Sequence, residues 1–377
     1  MAGPAPSGPQ TARAALEQAV AARPAGAEGQ ARLARLRRAA GDPDFARGFE
    51  AGLAAAPADM ALWTHYLASL MFAGRHEAVL AAVARGRRLA GGDRLFDLSE
   101  AVAHDDLGDR ARAALLFAAL PANDPAIAVY RLRHKLRAGD GAAATIIAED
   151  WAATPYGQPF LPYLALCWRL SGDERWVWLE GDERLIGVYD LGAALGPIGP
   201  LAELLRRLHG ADTEPLGQSV RGGTQVDDVL ARADPKIVSA RAAILGAVEA
   251  HIGQLPPMDE AHPLLSAPRG RPVRLTGSWS VRLAGEGHHI GHVHPEGWLS
   301  SAFYVALPET AEAGPAPAGW LSLGAPPADL GLDLPPLRQI EPKPGRLALF
   351  PSTMWHATVP FAAGERLTMA FDVARPA

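Results

Sequence analysis

A glycine followed by polar residues returns along the first half of the chain at a nearly fixed interval. Nothing else in the sequence limits the fold of that half so tightly. It stands in AAGDPD (Gly41), FAGRHE (Gly74), DLGDRA (Gly108), RAGDGA (Gly139) and LSGDER (Gly172), at intervals of 33, 34, 31 and 33 residues. From about Thr11 to Arg175, Ala, Leu and Arg recur at three- and four-residue spacing, the period of an amphipathic helix. Glycine supplies the left-handed turn that ends a helix, so each interval reads as a helical hairpin. Five turns in register predict an all-α helical-hairpin solenoid. Residues 1–10, rich in Pro, Gly, Ser and Ala, are expected to be disordered.

Over residues 11–178 this pattern resembles a divergent tetratricopeptide array. In that register Trp63 matches the family's first-helix tryptophan, Ala113 and Phe117 the second-helix positions, and Pro125 the closing proline. The resemblance implies a concave surface that takes a peptide or protein partner. His65, Tyr66, Tyr130 and His134 look exposed, but aromatics at helical spacing more often pack in a core, and no site is assigned to them.

A chain of 377 residues with 49% hydrophobic content has material for two domains with real cores. A net charge of −5 and a pI near 6.2 argue against a surface built on phosphate contacts, so no nucleic acid is expected. The single cysteine, Cys167, excludes an intrachain disulfide framework. The first residues lack the basic and apolar regions of a secretory signal, and no run is long enough for a membrane span. Together these predict a cytoplasmic protein.

Beyond the repeats the pattern changes. Trp176–Leu191 reads as a linker, Pro200–His209 as a Leu-rich helix, and Asp234–Leu255 as a helix rich in Ile, Ala and Val. From Val273 the apolar residues alternate, and short β-prone runs separated by Pro/Gly turns continue to the end. That predicts an antiparallel sandwich or barrel over about 270–377. The Pro-rich segment Glu309–Pro336 would be a long loop on it, with a short strand near Gly319–Leu323, acting as a lid or substrate-binding edge.

Histidines crowd the first part of this region. His288, His289, His292 and His294 fall within seven residues, His356 follows a later β-prone run, and Arg366 stands ten residues beyond it. Side chains two apart on a strand share a face, so His292 and His294 can converge, and neutral imidazole is the commonest metal ligand. Iron is the metal this arrangement points to. Fe(II) sites that activate O₂ hold the metal on one face, with positions left open for cosubstrate and oxygen. A 2-oxo dicarboxylate cosubstrate also needs a cation for its remote carboxylate, which Arg366 can supply.

At these residues the C-terminal half, roughly 179–377, resembles the 2-oxoglutarate/Fe(II)-dependent oxygenases with a double-stranded β-helix (jelly-roll) core. Specifically it looks like their bacterial HxHP/RGGTQ branch. The motifs are Arg221-Gly222-Gly223-Thr224-Gln225, His292-Val293-His294-Pro295 with Leu299-Ser300-Ser301, and Gly345 through His356 to Arg366. The resemblance implies iron ligation by His292, His294 and His356, and 2-oxoglutarate binding by Arg366 helped by Thr368 and Tyr304. Most members carry an acid where His294 stands, so a shift of ligation to Glu296 stays open beside the all-histidine set. His289 is the next candidate, behind the ligands or against substrate. The activity implied is oxidative decarboxylation of 2-oxoglutarate with O₂, coupled to hydroxylation of a protein, peptide or carrier-bound substrate presented by the repeats. Two other classes fit parts of the pattern: a cupin-like barrel using a metal without a keto acid, and a non-catalytic repeat scaffold. A cupin expects a glutamate several residues after its HxH pair, for which Glu296 comes too early and no other stands before Glu309, and it has no use for Arg366.

Overall fold

The computed structural model describes residues 9–210 and 219–376. Of the ten N-terminal residues expected to be disordered, 1–8 lie outside that range, and Pro9 and Gln10 open the first helix. The chain divides into two compact units, one running up to His134 and the other taking Lys135–His209 and the chain from Ser219 onward.

Helices α1 (Pro9–Ala22), α2 (Ala27–Ala39), α3 (Arg47–Ala55), α4 (Met60–Phe72), α5 (His76–Ala90), α6 (Arg94–Asp106), α7 (Arg110–Ala119), α8 (Pro125–Arg137), α9 (Gly141–Ala152) and α10 (Leu161–Ser171) follow one another. The five periodic glycines sit at helix ends, with φ between 66° and 86°. After each, the next residue's N–H reaches back to close the turn: Asp42 to Arg37, Arg75 to Leu70, Asp109 to His104, Asp140 to Lys135 and Asp173 to Trp168, at 2.9–3.0 Å. This bond satisfies a carbonyl that the helix leaves open, and the left-handed φ it requires is why glycine recurs.

In the first unit Phe49, Leu62, Trp63, Leu67 and Phe96 form one buried cluster, with Trp63 edge-on to Phe96 at 5.6 Å. Ala113, Phe117 and Ile127 belong to a second. Tyr66 and His134, which look exposed in the sequence, are buried. The Tyr66 hydroxyl bonds Glu50, and His134 Nδ1 lies 2.6 Å from the Asp105 carboxylate.

The second unit is built on two antiparallel sheets. Its strands are β1 (Gly187–Asp190), β2 (Val220–Asp227), β3 (Leu275–His289), β4 (Leu299–Ala306), β5 (Leu321–Leu323), β6 (Arg338–Ile340), β7 (Arg346–Pro351), β8 (His356–Thr358) and β9 (Arg366–Val373). Six strands run in the order β1-β7-β4-β9-β3-β2, and three in the order β6-β5-β8. The alternation of β9 sorts its two faces. Leu367, Met369, Phe371 and Val373 join a core with Ile237, Ile244 and Val248 of the helix Pro235–Gln254 and with Leu204 and Leu205 of the helix Gly199–Leu208. Arg366, Thr368, Ala370 and Asp372 take the opposite face.

Two local readings change with the structure, and the RGGTQ motif takes a definite form. The stretch 176–191, expected as a linker, holds a π-helical turn, a 3₁₀ turn and strand β1, which pairs with β7 at the sheet edge. RGGTQ is a strand with a bulge between Arg221 and Gly223, where Gly222 takes φ 65°. The segment Glu309–Pro336 carries β5 as expected and is tied down, since the Arg169 guanidinium donates to the carbonyls of Gly324 and Pro335. Among the described residues no helix is long and apolar enough to cross a membrane.

Candidate active site

The backbone fixes the three histidines before any side chain acts. His292 and His356 exchange N–H···O=C bonds at 3.1 and 3.0 Å, an isolated antiparallel bridge that sets the two rings 4.1 Å apart. The His294 N–H donates to the Ser352 carbonyl at 2.9 Å, and the Gly297 N–H closes a turn on the His294 carbonyl. The His294 ring thus stands 5.1 Å from His292 and 5.0 Å from His356. One ligand atom from each of the three lies within 4.8 Å of the others, the one such group among the described residues. Glu296, the alternative acid, is exposed and outside this group.

Hydrogen bonds choose the tautomer of each ring. His292 Nδ1 donates to the Ile290 carbonyl at 2.8 Å, and His356 Nδ1 to the Met354 carbonyl at 3.1 Å. His294 Nδ1 donates to both oxygens of Asp372, at 2.8 and 2.9 Å. A carbonyl or carboxylate can only accept, so Nε2 is the nitrogen left with a lone pair on all three, the arrangement found behind metal-bound histidines. Burial pushes His292 down to about 4 and holds His356 well below the ordinary imidazole range, so both rings are neutral near pH 7. His289 stacks on His292 at 5.7 Å. The Ser219 hydroxyl lies between them, 2.9 Å from His289 Nδ1 and 3.1 Å from His292 Nε2.

Arg366 lies in the same cavity. This cavity is lined by the three histidines together with His289, Phe350, Thr368 and Arg366. The arginine is 2% exposed, its guanidinium lies 5.0 Å from the centre of the Tyr304 ring, and its Nε has no hydrogen-bond partner. The Tyr304 hydroxyl is buried and also unpartnered. Burial lowers the arginine's pKa and raises the tyrosine's. Thr368, 4% exposed, faces Tyr304 across the β4–β9 pair. A cation shut away from water with an open donor is a receptor for an anion. Asp372 and Ser219 escape a reading of the sequence. Asp372 is 78 residues from His294, and only its alternation with Arg366, Thr368 and Ala370 along β9 hints at it.

With the geometry in place, one family model matches part of the chain. Residues 277–372, which include the three histidines and Arg366, match the model of a family described as putative 2OG-Fe(II) oxygenase. The match supports the 2-oxoglutarate/Fe(II) oxygenase family for this unit. That family's cofactors are Fe(II) and 2-oxoglutarate, and the histidine triad offers donors for the metal. No curated protein matches the chain. Among solved structures, a prolyl-4-hydroxylase from Pseudomonas putida is 15% identical, covering 51% of this chain and 94% of its own, with a TM-score of 0.32. A Trichoplax adhaerens prolyl hydroxylase in complex with a hypoxia-inducible-factor peptide fragment is 16% identical, covering 55% and 93%, with a TM-score of 0.35. HygX from Streptomyces hygroscopicus, with nickel and 2-oxoglutarate bound, is 14% identical, covering 51% and 83%, with a TM-score of 0.33.

Proposed function

We propose that the protein is an Fe(II)- and 2-oxoglutarate-dependent dioxygenase, with iron held by His292, His294 and His356. Arg366 takes the remote carboxylate of 2-oxoglutarate, with Thr368 and Tyr304 beside it. The observation that carries this reading is the buried Arg366 with an unpartnered Nε, in one cavity with three imidazoles. A metal site alone would have no reason to keep a desolvated guanidinium at its side.

When bound, Fe(II) with 2-oxoglutarate and O₂ supplies oxidation of an unactivated C–H bond, while the keto acid leaves as succinate and CO₂. The chain's own residues prepare that chemistry. The Nδ1 bonds of His292, His294 and His356 hold each ring in one tautomer and orientation. Desolvation keeps His292 and His356 unprotonated, so no proton need leave them for a metal to enter. Arg366 stays charged despite burial and anchors an anion at a fixed place along β9. Phe350 and Leu321 line the cavity and exclude water.

The reading extends to the rest of the chain. We assign 11–178 to tetratricopeptide-like repeats forming a solenoid, and 179–377 to the oxygenase with a double-stranded β-helix core. The repeats recognise a protein, peptide or carrier-bound substrate, which the enzyme hydroxylates. Cys167 is buried with its thiol pushed up to about 11 by burial, which suits the reducing cytoplasm. The test is succinate release from 2-oxoglutarate in the presence of Fe(II) and O₂. Turnover by the wild type and none by Arg366→Ala is expected. Equal turnover by both sinks the proposal.

A further inference from the structure

Three imidazoles make a neutral ligand set, whereas Fe(II) sites of this kind ordinarily include one carboxylate. The missing negative charge stands one side chain further out. Asp372, near the end of β9, accepts from His294 Nδ1 through both oxygens, at 2.8 and 2.9 Å, and from the Ser300 hydroxyl at 2.7 Å. With its one proton on Asp372, Ser300 Oγ lies 2.9 Å from the Ser352 hydroxyl, and the Ser352 backbone carbonyl receives the His294 N–H. The carboxylate is thus locked on one ligand by a closed network, while His292 and His356 have only neutral carbonyls behind them. Asp372 is the acid that pairs with the triad among the described residues.

We propose that Asp372 is a positioning residue that supplies the negative charge of the metal site through His294. The carboxylate raises the electron donation of that one imidazole and makes His294 the functional equivalent of the usual acidic ligand. This rests on the metal assignment given under the proposed function. It gives the three histidines unequal roles, which the ligand geometry alone does not.

The test is Co(II) titration of the full-length protein followed by its visible spectrum, with no cosubstrate and no turnover. Asp372→Asn keeps the shape and an acceptor for Nδ1 and removes only the charge. It should weaken Co(II) binding about 10- to 100-fold. In the His294→Asp background the ligand itself is a carboxylate, so adding Asp372→Asn should cost nothing or tighten binding, by relief of like-charge repulsion. The Fe(III)/Fe(II) potential of Asp372→Asn should rise above that of the wild type. Near-UV circular dichroism checks the fold, and Asp372→Ser is read in the same way should Asp372→Asn fail to fold. Equal losses in both backgrounds, as a purely structural role gives, overturn the proposal, and so does no loss in the wild-type background. A wild type that binds no Co(II) is a separate result, which removes the metal site itself.

Discussion

The two ends of the cavity are built on opposite terms. At the histidine end each Nδ1 is engaged, two of the rings are joined by a backbone bridge, and Asp372, Ser300 and Ser352 close a network behind the third. At the arginine end a buried guanidinium and a buried phenol keep polar atoms without partners. The histidine end is self-sufficient, and it will hold its geometry whether or not a metal arrives. The arginine end carries a desolvation cost that only an anion offsets. On the proposed reading, a receptor for a metal can be finished by the chain alone, whereas a receptor for a buried carboxylate must wait for its ligand.

The largest effects should separate the ends. His356→Ala removes a proposed metal ligand while leaving the main-chain bridge in place, and should weaken metal binding by more than about 100-fold. A titration of metal into the variant showing near wild-type affinity would place the metal elsewhere. Arg366→Met should cost about 2–5 kcal/mol in 2-oxoglutarate binding and leave metal affinity within a few-fold, both read by calorimetry. The same variant should melt higher than the wild type when no ligand is present, because an unpaired buried charge has gone. A lower melting temperature would mean that the arginine is already satisfied.

Acid should act on the histidines. Burial holds His292, and outside the triad His209 and His251, at about 4. These values lie below the unfolded value near 6.5, so on acidification the unfolded chain binds protons first. The histidines' contribution is whole above about 6.5 and is lost as pH falls towards 4. Urea unfolding midpoints should drop across that window. Bound Co(II) should raise the midpoints and steepen the drop, since metal-held imidazoles take up no protons in the folded state, and 2-oxoglutarate alone should not. A flat profile would contradict the burial of these rings.

The smallest effect concerns the network's packing. A Cβ on Gly297 would come within 2.5 Å of Ser352 Oγ, so Gly297→Ala should destabilise the protein by about 1–3 kcal/mol, measured by denaturant unfolding. It should also weaken metal binding more than 2-oxoglutarate binding. An equal effect on both would blur the division between the ends.

What the sequence makes legible follows the range of the interaction. The glycine turns can be read because a left-handed φ leaves a mark on one residue and the bond closing it spans five. The site face of β9 can be read from alternation alone, and it carries Arg366 and Thr368. His292 and His294 share a face two residues apart, and His356 was within reach as the end of a β-prone run. Asp372 was not, because its partner lies on another strand and nothing near it in sequence marks the pair. Strand β1 failed for the same reason: four residues become a strand only by pairing with Arg346–Leu349. Tyr66 and His134 pack in the core as aromatics at helical spacing more often do, but a polar tip on a helix says nothing of the Glu50 or Asp105 that meets it.

The most direct test is to add 2-oxoglutarate to the Fe(II)-loaded protein without oxygen and record the visible spectrum. A charge-transfer band in the wild type, lost at the same 2-oxoglutarate concentration in an equally iron-loaded Arg366→Met, is the expected result. A wild type that binds Fe(II) and stays colourless with saturating 2-oxoglutarate would contradict a single site made from the triad and the arginine.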